Sequence, residues 1–348
     1  MEERLQKQED ASSLALRWAH RTQHAHGRIV HHHGAQFAAC LQGISGTIAL
    51  TSDGIGTKIE VAERLGRYDT LGHDLVAMVA DDLAAQGAEP LVMTNVLDVD
   101  RLELPMVDAL MAGLHAAATL AGIVVSGGEI AELGERVAGW GPRMHCNWSA
   151  TALGVLRPGW QSVDGRQIGV GDAVIALQSH GFRANGFTAI RQALAVRYGD
   201  DWHRQPLGGG TWGEELLAPS TIYSPLVIQL RNSNIPLHGL SHLTGGGLVG
   251  KMQRTLRASG LGANLPELWP ASAAMREAQE LCRYSDLQAY STWNMGNGFL
   301  LVVPPSVVVQ ALNLATSLGY FARLAGEITS CRTLRVRVAG VAQTLAEW

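Results

Sequence analysis

The sequence predicts a two-domain α+β protein, and three observations carry that expectation. The chain has 348 residues, about twice the ~150 of an ordinary domain. Strand-like and helical stretches are mixed without the strict alternation of a doubly wound parallel sheet. The polar, glycine-containing stretch 157–171 reads as a linker, which places an N-terminal domain at 1–157 and a C-terminal α+β domain at 158–348.

The elements follow from apolar periodicity and its punctuation. Residues 46–51 form a short strand that stops at Ser52-Asp53-Gly54. Over 74–86, Leu75, Met78, Val79 and Leu83 recur at helical spacing. A strand at 91–98 and a helix at 104–120 follow, then a short apolar strand at 123–126 running into Gly127-Gly128, and a strand at 149–156. Only 109–125 approaches a membrane span, and His115, Gly113 and Gly122 interrupt it, so it reads as core. In the second half, strands are expected at 172–177, 298–303 and 334–338. Helices are expected at 186–198, 224–231, 247–257, 271–282 and 306–318.

Composition narrows the function classes. Apolar residues make up 47% and charged residues 17%, which excludes a disordered chain. The net charge of −4, without a basic run, disfavours a nucleic-acid backbone binder. Cys40, Cys146, Cys282 and Cys331 are scattered and form neither a disulfide framework nor a zinc pair. With a charged N-terminus lacking an apolar core, they predict a soluble cytoplasmic protein with no membrane partner. Forty glycines cluster beside apolar runs, where a ligand can approach the backbone.

The carboxylates of the first half carry the clearest chemistry. Asp53, Gly54, Gly56 and Lys58 lie on one glycine loop after a strand, a setting for an acid on Mg²⁺ and a lysine on phosphate. Asp69, Asp74 and Asp82 follow, with Asp82 assigned to the apolar stripe of its helix. Asp74 and Asp82 are separated by roughly 12 Å along a helix and cannot share one small ion. Glu129 after Gly127-Gly128 suits a metal or a substrate. In the second half, Gly245-Gly246-Gly247 opens a helix and presents free N–H groups to an anion. Lys251 completes a Walker-type spacing, but Met252 stands where a serine or threonine should hold Mg²⁺. The triplet His31-His32-His33 has no acidic or cysteine partner nearby and reads as an ordinary loop.

Seven segments in colinear order give these residues a common context: S-D-G-I-G-T-K at 52–58, D-L-V-A-M-V-A-D-D-L-A-A-Q-G-A-E-P at 74–90, G-G-E-I-A-E at 127–132, G-F-R-A-N-G-F at 181–187, L-A-P-S-T-I-Y at 217–223, H-L-T-G-G-G-L at 242–248 and T-W-N-M-G-N-G at 292–298. They closely resemble the motifs of the aminoimidazole ribonucleotide synthetase (phosphoribosylformylglycinamidine cyclo-ligase) family, from about residue 45 to 340. The resemblance implies an ATP- and Mg²⁺-dependent closure of an imidazole ring in purine biosynthesis, acting on a small nucleotide substrate. It implies an N-terminal mixed-sheet domain that pairs into a dimeric β-barrel and binds ATP, so a homodimer, and a C-terminal domain that binds the substrate phosphate. Carried over by position, Asp53 and Asp82 are metal-associated and Lys58, Asp69 and Asp74 lie near the nucleotide, with Gly54 and Gly56 on the same loop. Glu129 faces metal or substrate, and Asn185, Thr244 and Gly245 to Gly247 face the substrate.

The chain departs from the family pattern at three places. Arg183 replaces the histidine of the H-S-N-G segment, which leaves the proton-transfer role unfilled unless the nearby His180 supplies it. Ser220-Thr221 stands where the family carries an arginine. The family's N-terminal A-G-V-D signature is replaced by Asp10-Ala11-Ser12-Ser13, and its glycine-rich loop by residues 33–39. These departures define two alternatives: a paralogue that phosphorylates another acceptor, and a non-catalytic nucleotide-binding subunit.

Overall fold

The computed structural model describes residues 2–22, 30–32, 39–41 and 44–348. His33 and the degraded glycine loop up to residue 38 lie outside the described residues, as do the side chains of His31, His32 and Cys40. The chain divides into two compact units, one of Met1–Ala84 with Ala88–Trp160 and one of Ala85–Gly87 with Gln161–Trp348.

The first unit contains α1 (Glu2–His20), the two-stranded pair β1 (Val30–His32) and β2 (Ala39–Leu41), and then β3 (Thr47–Gly54), α2 (Ile59–Leu65), α3 (Leu71–Ala85), β4 (Glu89–Val99), α4 (Leu104–Ala121), β5 (Val124–Glu132) and β6 (Cys146–Leu156). Its main sheet has the order β3-β6-β4-β5 and is mixed: β4 and β5 run parallel and the other pairs antiparallel. Along β4 every second residue is buried, so one face of the sheet is core and the other open. Leu91, Met93, Leu97 and Val99 are on the core face.

Helix α3 covers that core face, with Leu83 packed beside Gly154 of β6. It is buried almost all round, which corrects the expected single stripe. Asp81 is fully buried and Asp82 only half-buried, so the core position in the Asp81-Asp82 pair belongs to Asp81. Helix α4 is apolar and long enough to cross a membrane, yet half of it is buried within the unit. It ends at Gly122, which takes the left-handed φ of 66° that closes the helix.

Helix α1 was not foreseen. It covers the free edge of β5: the Thr22 hydroxyl accepts the Val125 N–H at 2.8 Å, and the Trp18 indole donates to Asp108 on α4 at 2.9 Å. Glu89, within the Q-G-A-E-P segment, is nearly buried and takes both arms of Arg157 at 2.6 Å. It joins the start of β4 to the chain just beyond β6, and that bond holds the Arg157 guanidinium above its ordinary pKa.

The second unit contains β7 (Ala173–Gln178), α5 (Phe187–Tyr198), the short pair β8 (Pro206–Leu207) and β9 (Gly210–Thr211), α6 (Trp212–Leu216), α7 (Ser224–Asn232), β10 (Gly239–His242), α8 (Gly247–Leu256), β11 (Gly262–Leu265), α9 (Ala273–Leu281), α10 (Asp286–Thr292), β12 (Asn297–Val303), α11 (Val308–Ser317), β13 (Ala322–Thr329), β14 (Thr333–Val338) and β15 (Val341–Glu347). Seven strands form one sheet in the order β10-β12-β7-β13-β11-β14-β15, parallel only between β11 and β14. Strand β12 is buried along its whole length, as its unbroken apolar run requires. Both units are α+β.

Candidate functional site

In the first unit the site is built at the end of β3. Asp53 turns its Oδ1 back to the Gly54 N–H at 2.7 Å, and the chain then makes one 3₁₀ turn at Gly56–Lys58 before α2. That turn carries the Lys58 side chain inward, where Nζ meets Asp74 of α3 at 2.9 Å to Oδ1 and 2.8 Å to Oδ2. Both side chains have no solvent exposure. The pair ties the 52–58 loop to α3, and two turns farther along that helix stands Asp81. Neighbouring His73 is held below its ordinary pKa by burial and is neutral at pH 7. Asp69 is exposed and pairs with Arg67 at 3.1 Å.

Glu129 lies on β5, three strands away from Asp53. The rows align Asp53 with Ala150, Asn95 and Gly128, so the two acids are separated by about 14 Å across the sheet. Glu129 is exposed and borders a cavity of about 330 Å³ beneath α1. Trp18, Met111, Leu114 and His115 form the apolar wall, and Asn95 with Gly127 and Gly128 the polar end. The Asn95 amide donates to the Gly127 carbonyl at 3.2 Å and accepts the Trp148 indole at 2.9 Å. A Cβ at Gly128 would strike the Asn95 carbonyl, which explains the glycine there.

Among the described residues no three His, Cys, Asp or Glu side chains converge on one point. A preformed metal cage is therefore not built by Asp53, Asp82 and Glu129. Mg²⁺ normally takes one or two carboxylates and completes its shell with phosphate and water, and separated acids fit an ion that arrives on a nucleotide.

In the second unit, four sequence segments converge. Arg183 is 1% exposed and adopts a left-handed φ of 61°. Its guanidinium donates to the Thr221 carbonyl at 3.0 Å and to His242 Nε2 at 2.8 Å, and lies 5.0 Å from the Tyr223 ring. A guanidinium only donates, so His242 Nε2 is the acceptor and its proton is assigned to Nδ1. The His242 ring stacks on Phe299 with centroids 6.0 Å apart. Asn294 donates to the Gly181 carbonyl at 3.0 Å, and Leu243 N–H to the Gly298 carbonyl at 3.0 Å. The 181–187, 217–223, 242–248 and 292–298 segments are thus one hydrogen-bonded cluster.

At its surface is the turn that opens α8. Thr244 is buried, Gly245 and Gly246 are exposed, and the Asn185 carboxamide stands beside Gly245. Gly246 and Gly247 have φ of 90° and 56°. A Cβ at Gly247 would collide with the Tyr290 carbonyl. Gly247→Ala is therefore expected to lower stability by about 1–3 kcal/mol and to weaken anion binding at the turn, read by thermal melting with and without phosphate. At Gly245, which has no positive φ, an added Cβ would make only an ordinary 3.4 Å contact with the Asn185 carboxamide oxygen, so Gly245→Ala is expected to keep the wild-type melting temperature. Met252 is fully buried in α8, in keeping with the rejected Walker reading.

His180 is exposed and borders a different surface hollow, formed with Gly208 to Gly210 and Glu214. Sequence reasoning missed Asp81, His242, Asn294 and the Trp18–His115 wall. Asp81, His242 and Asn294 sit inside quoted motifs, and burial is what picks them out.

Residues 36–156 match the family model of the AIR synthase related protein, N-terminal domain, and residues 169–339 that of the C-terminal domain. A phosphoribosylformylglycinamidine cyclo-ligase of Thermosynechococcus vestitus is 36% identical over 269 residues, covering 77% of this chain and 75% of that protein. One of Thermococcus kodakarensis is 35% identical over 267 residues, covering 77% and 75%. Among solved structures, a thiamine-monophosphate kinase of Stenotrophomonas maltophilia superposes with TM-score 0.67 at 19% identity, covering 93% of this chain and 95% of its own. A hydrogenase maturation protein HypE in complex with ATP superposes with TM-score 0.62 at 16% identity, covering 90% and 88%. These two show a shared fold.

Proposed function

The chain belongs to the AIR synthase related family, matched in both of its domains, and on that premise we propose that it is a phosphoribosylformylglycinamidine cyclo-ligase of purine biosynthesis. The observation that carries the reading is the joint retention of the buried Lys58–Asp74 pair and the Thr244–Gly247 turn within a chain 35–36% identical to such enzymes.

In the proposed reaction the formyl oxygen of formylglycinamidine ribonucleotide attacks the γ-phosphorus of ATP, and ADP leaves. A ring-closing nitrogen then attacks the formyl carbon, the carbon–oxygen bond breaks, and inorganic phosphate departs with the former formyl oxygen. Asp53 and Asp82 would hold Mg²⁺, which when bound neutralises charge on the transferring phosphoryl group. Gly54 and Gly56 let the loop approach the nucleotide and Asp69 flanks it, while the enclosed Asp74 acts at one remove by holding Lys58 and the loop in place. The N–H groups at the start of α8, with Thr244 and Asn185, grip the substrate phosphate; Glu129 orients the substrate end. Arg183 cannot take the proton removed from the attacking nitrogen, and His180 fills that role only if the substrate reaches from the α8 turn to its separate hollow.

Substrate labelled with ¹⁸O in the formyl group tests this sequence. The label is expected in inorganic phosphate; label lost to water would reject phosphorylation of the formyl oxygen. The alternative paralogue reading has one observation in its favour, the buried Arg183 at the family's histidine position.

We further propose a homodimer paired through the open face of the first unit's sheet and a cytoplasmic location. Ile48 and Leu50 on β3 are 52% and 68% exposed, and Val96 on β4 shares their face. Exposed apolar side chains on an unpartnered sheet support a second copy as their cover. Leu50→Asp is expected to convert a dimer to a monomer in analytical ultracentrifugation; an unchanged mass would exclude this face.

A further inference from the structure

A surface cavity of about 500 Å³ in the second unit is lined by Arg254, Arg257, Arg332, Gln253 and Trp348. The three arginines come from different places: the last turn of α8, the residue just past it, and the turn between β13 and β14. Trp348 forms a fixed wall, its indole donating to the Leu261 carbonyl and its backbone N–H to the Arg332 carbonyl, both at 3.0 Å. Among the described residues, none of the three guanidiniums makes a hydrogen bond or ion pair. Exposed arginines elsewhere include paired ones, such as Arg67 with Asp69 and Arg337 with Glu267, and unpaired ones, such as Arg136 and Arg335, so what marks these three is their convergence on one hollow.

The C-terminal dipole of α8 favours Arg254 and Arg257 near its end. It does not account for Arg332, which a separate turn brings to the same hollow. Three like charges around one concavity repel each other and raise the local potential for anions. Guanidinium forks match phosphate oxygens, and a flat indole accepts a ring laid against it.

We propose that this cavity binds a diphosphate group, held by Arg254, Arg257 and Arg332 with Trp348 as its wall. It uses none of the residues assigned to the ring-closing reaction, so it constitutes a second anion site. Two sources share this chemistry: free inorganic pyrophosphate and a nucleoside diphosphate.

Titration calorimetry of the full chain with pyrophosphate and, separately, with ADP tests the proposal in the wild type and in the Arg257→Ala/Arg332→Ala double variant. Pyrophosphate is expected to bind the wild type and to bind the double variant at least tenfold more weakly, with unchanged melting temperature and basal turnover. A component of ADP binding lost in both the double variant and Trp348→Ala assigns a nucleotide; loss in the double variant alone, for pyrophosphate alone, assigns the free anion. Pyrophosphate binding of equal strength in wild type and double variant, or no binding to the wild type at millimolar concentration, overturns the proposal.

Discussion

Lys58→Met is expected to destabilise the first unit by about 3–5 kcal/mol, the cost of leaving one member of a buried ion pair without its partner. The methionine keeps the length of the side chain and removes the charge, so the enclosed Asp74 carboxylate must either stay charged without the Lys58 ammonium or take up a proton, and both cost stability. Asp74→Leu should cost a similar amount by stranding the ammonium group. The double variant Lys58→Met/Asp74→Leu replaces both charges with apolar groups and should recover most of the loss, because neither charge then pays for desolvation. Chemical denaturation of the four proteins measures all of this. Turnover should not recover with stability, since the pair also fixes the 52–58 loop against α3. A double variant as active as wild type would reduce the pair to a structural strut.

Arg183→Met is expected to cost about 2–5 kcal/mol, because the Thr221 carbonyl and His242 Nε2 each lose a donor inside the protein. We propose that Arg183 is a positioning residue: its guanidinium is 1% exposed and joins three segments, the last of which leads into the Thr244–Gly247 turn. The variant should therefore raise KM for the ribonucleotide more than it lowers kcat, and Arg183→Lys should rescue only part of the effect, since an ammonium cannot reach both acceptors in the same fork. A pure loss of kcat at unchanged KM and unchanged melting temperature would instead make Arg183 a group acting directly on the substrate.

The α+β class was legible in the sequence, as were the elements with sustained periodicity. Helix α4 and strand β12 are long, apolar and bounded by glycine or proline, and the structure reproduces them within a few residues. Among the strands that escaped, β10 and β11 have four residues each and contain glycine, so they offer too few alternations to register. Strand β13 is interrupted by a register shift at Gly326, which breaks its alternation. Helix α1 is rich in the helix formers Glu, Gln, Leu, Lys and Arg, but their charge also gives it the look of a solvated terminus, and only its packing on β5 and α4 separates the two.

The site was legible as a list and not as an arrangement. Motif order picked out Lys58 and Asp74 sixteen residues apart, but only the 3₁₀ turn brings them into contact. Asp81 and Asp82 are adjacent in sequence, and the assignment of the core position depended on an assumed narrow stripe. On a helix buried almost all round, that assumption fails. The Arg183–His242 contact spans 59 residues and has no local signature.

The central claim, ring closure driven by ATP, is tested most directly by supplying purified protein with Mg²⁺, ATP and formylglycinamidine ribonucleotide and following ADP and aminoimidazole product together. The account predicts one product for each ADP released. ATP bound without either product would contradict it and move the search to another acceptor for the phosphoryl group.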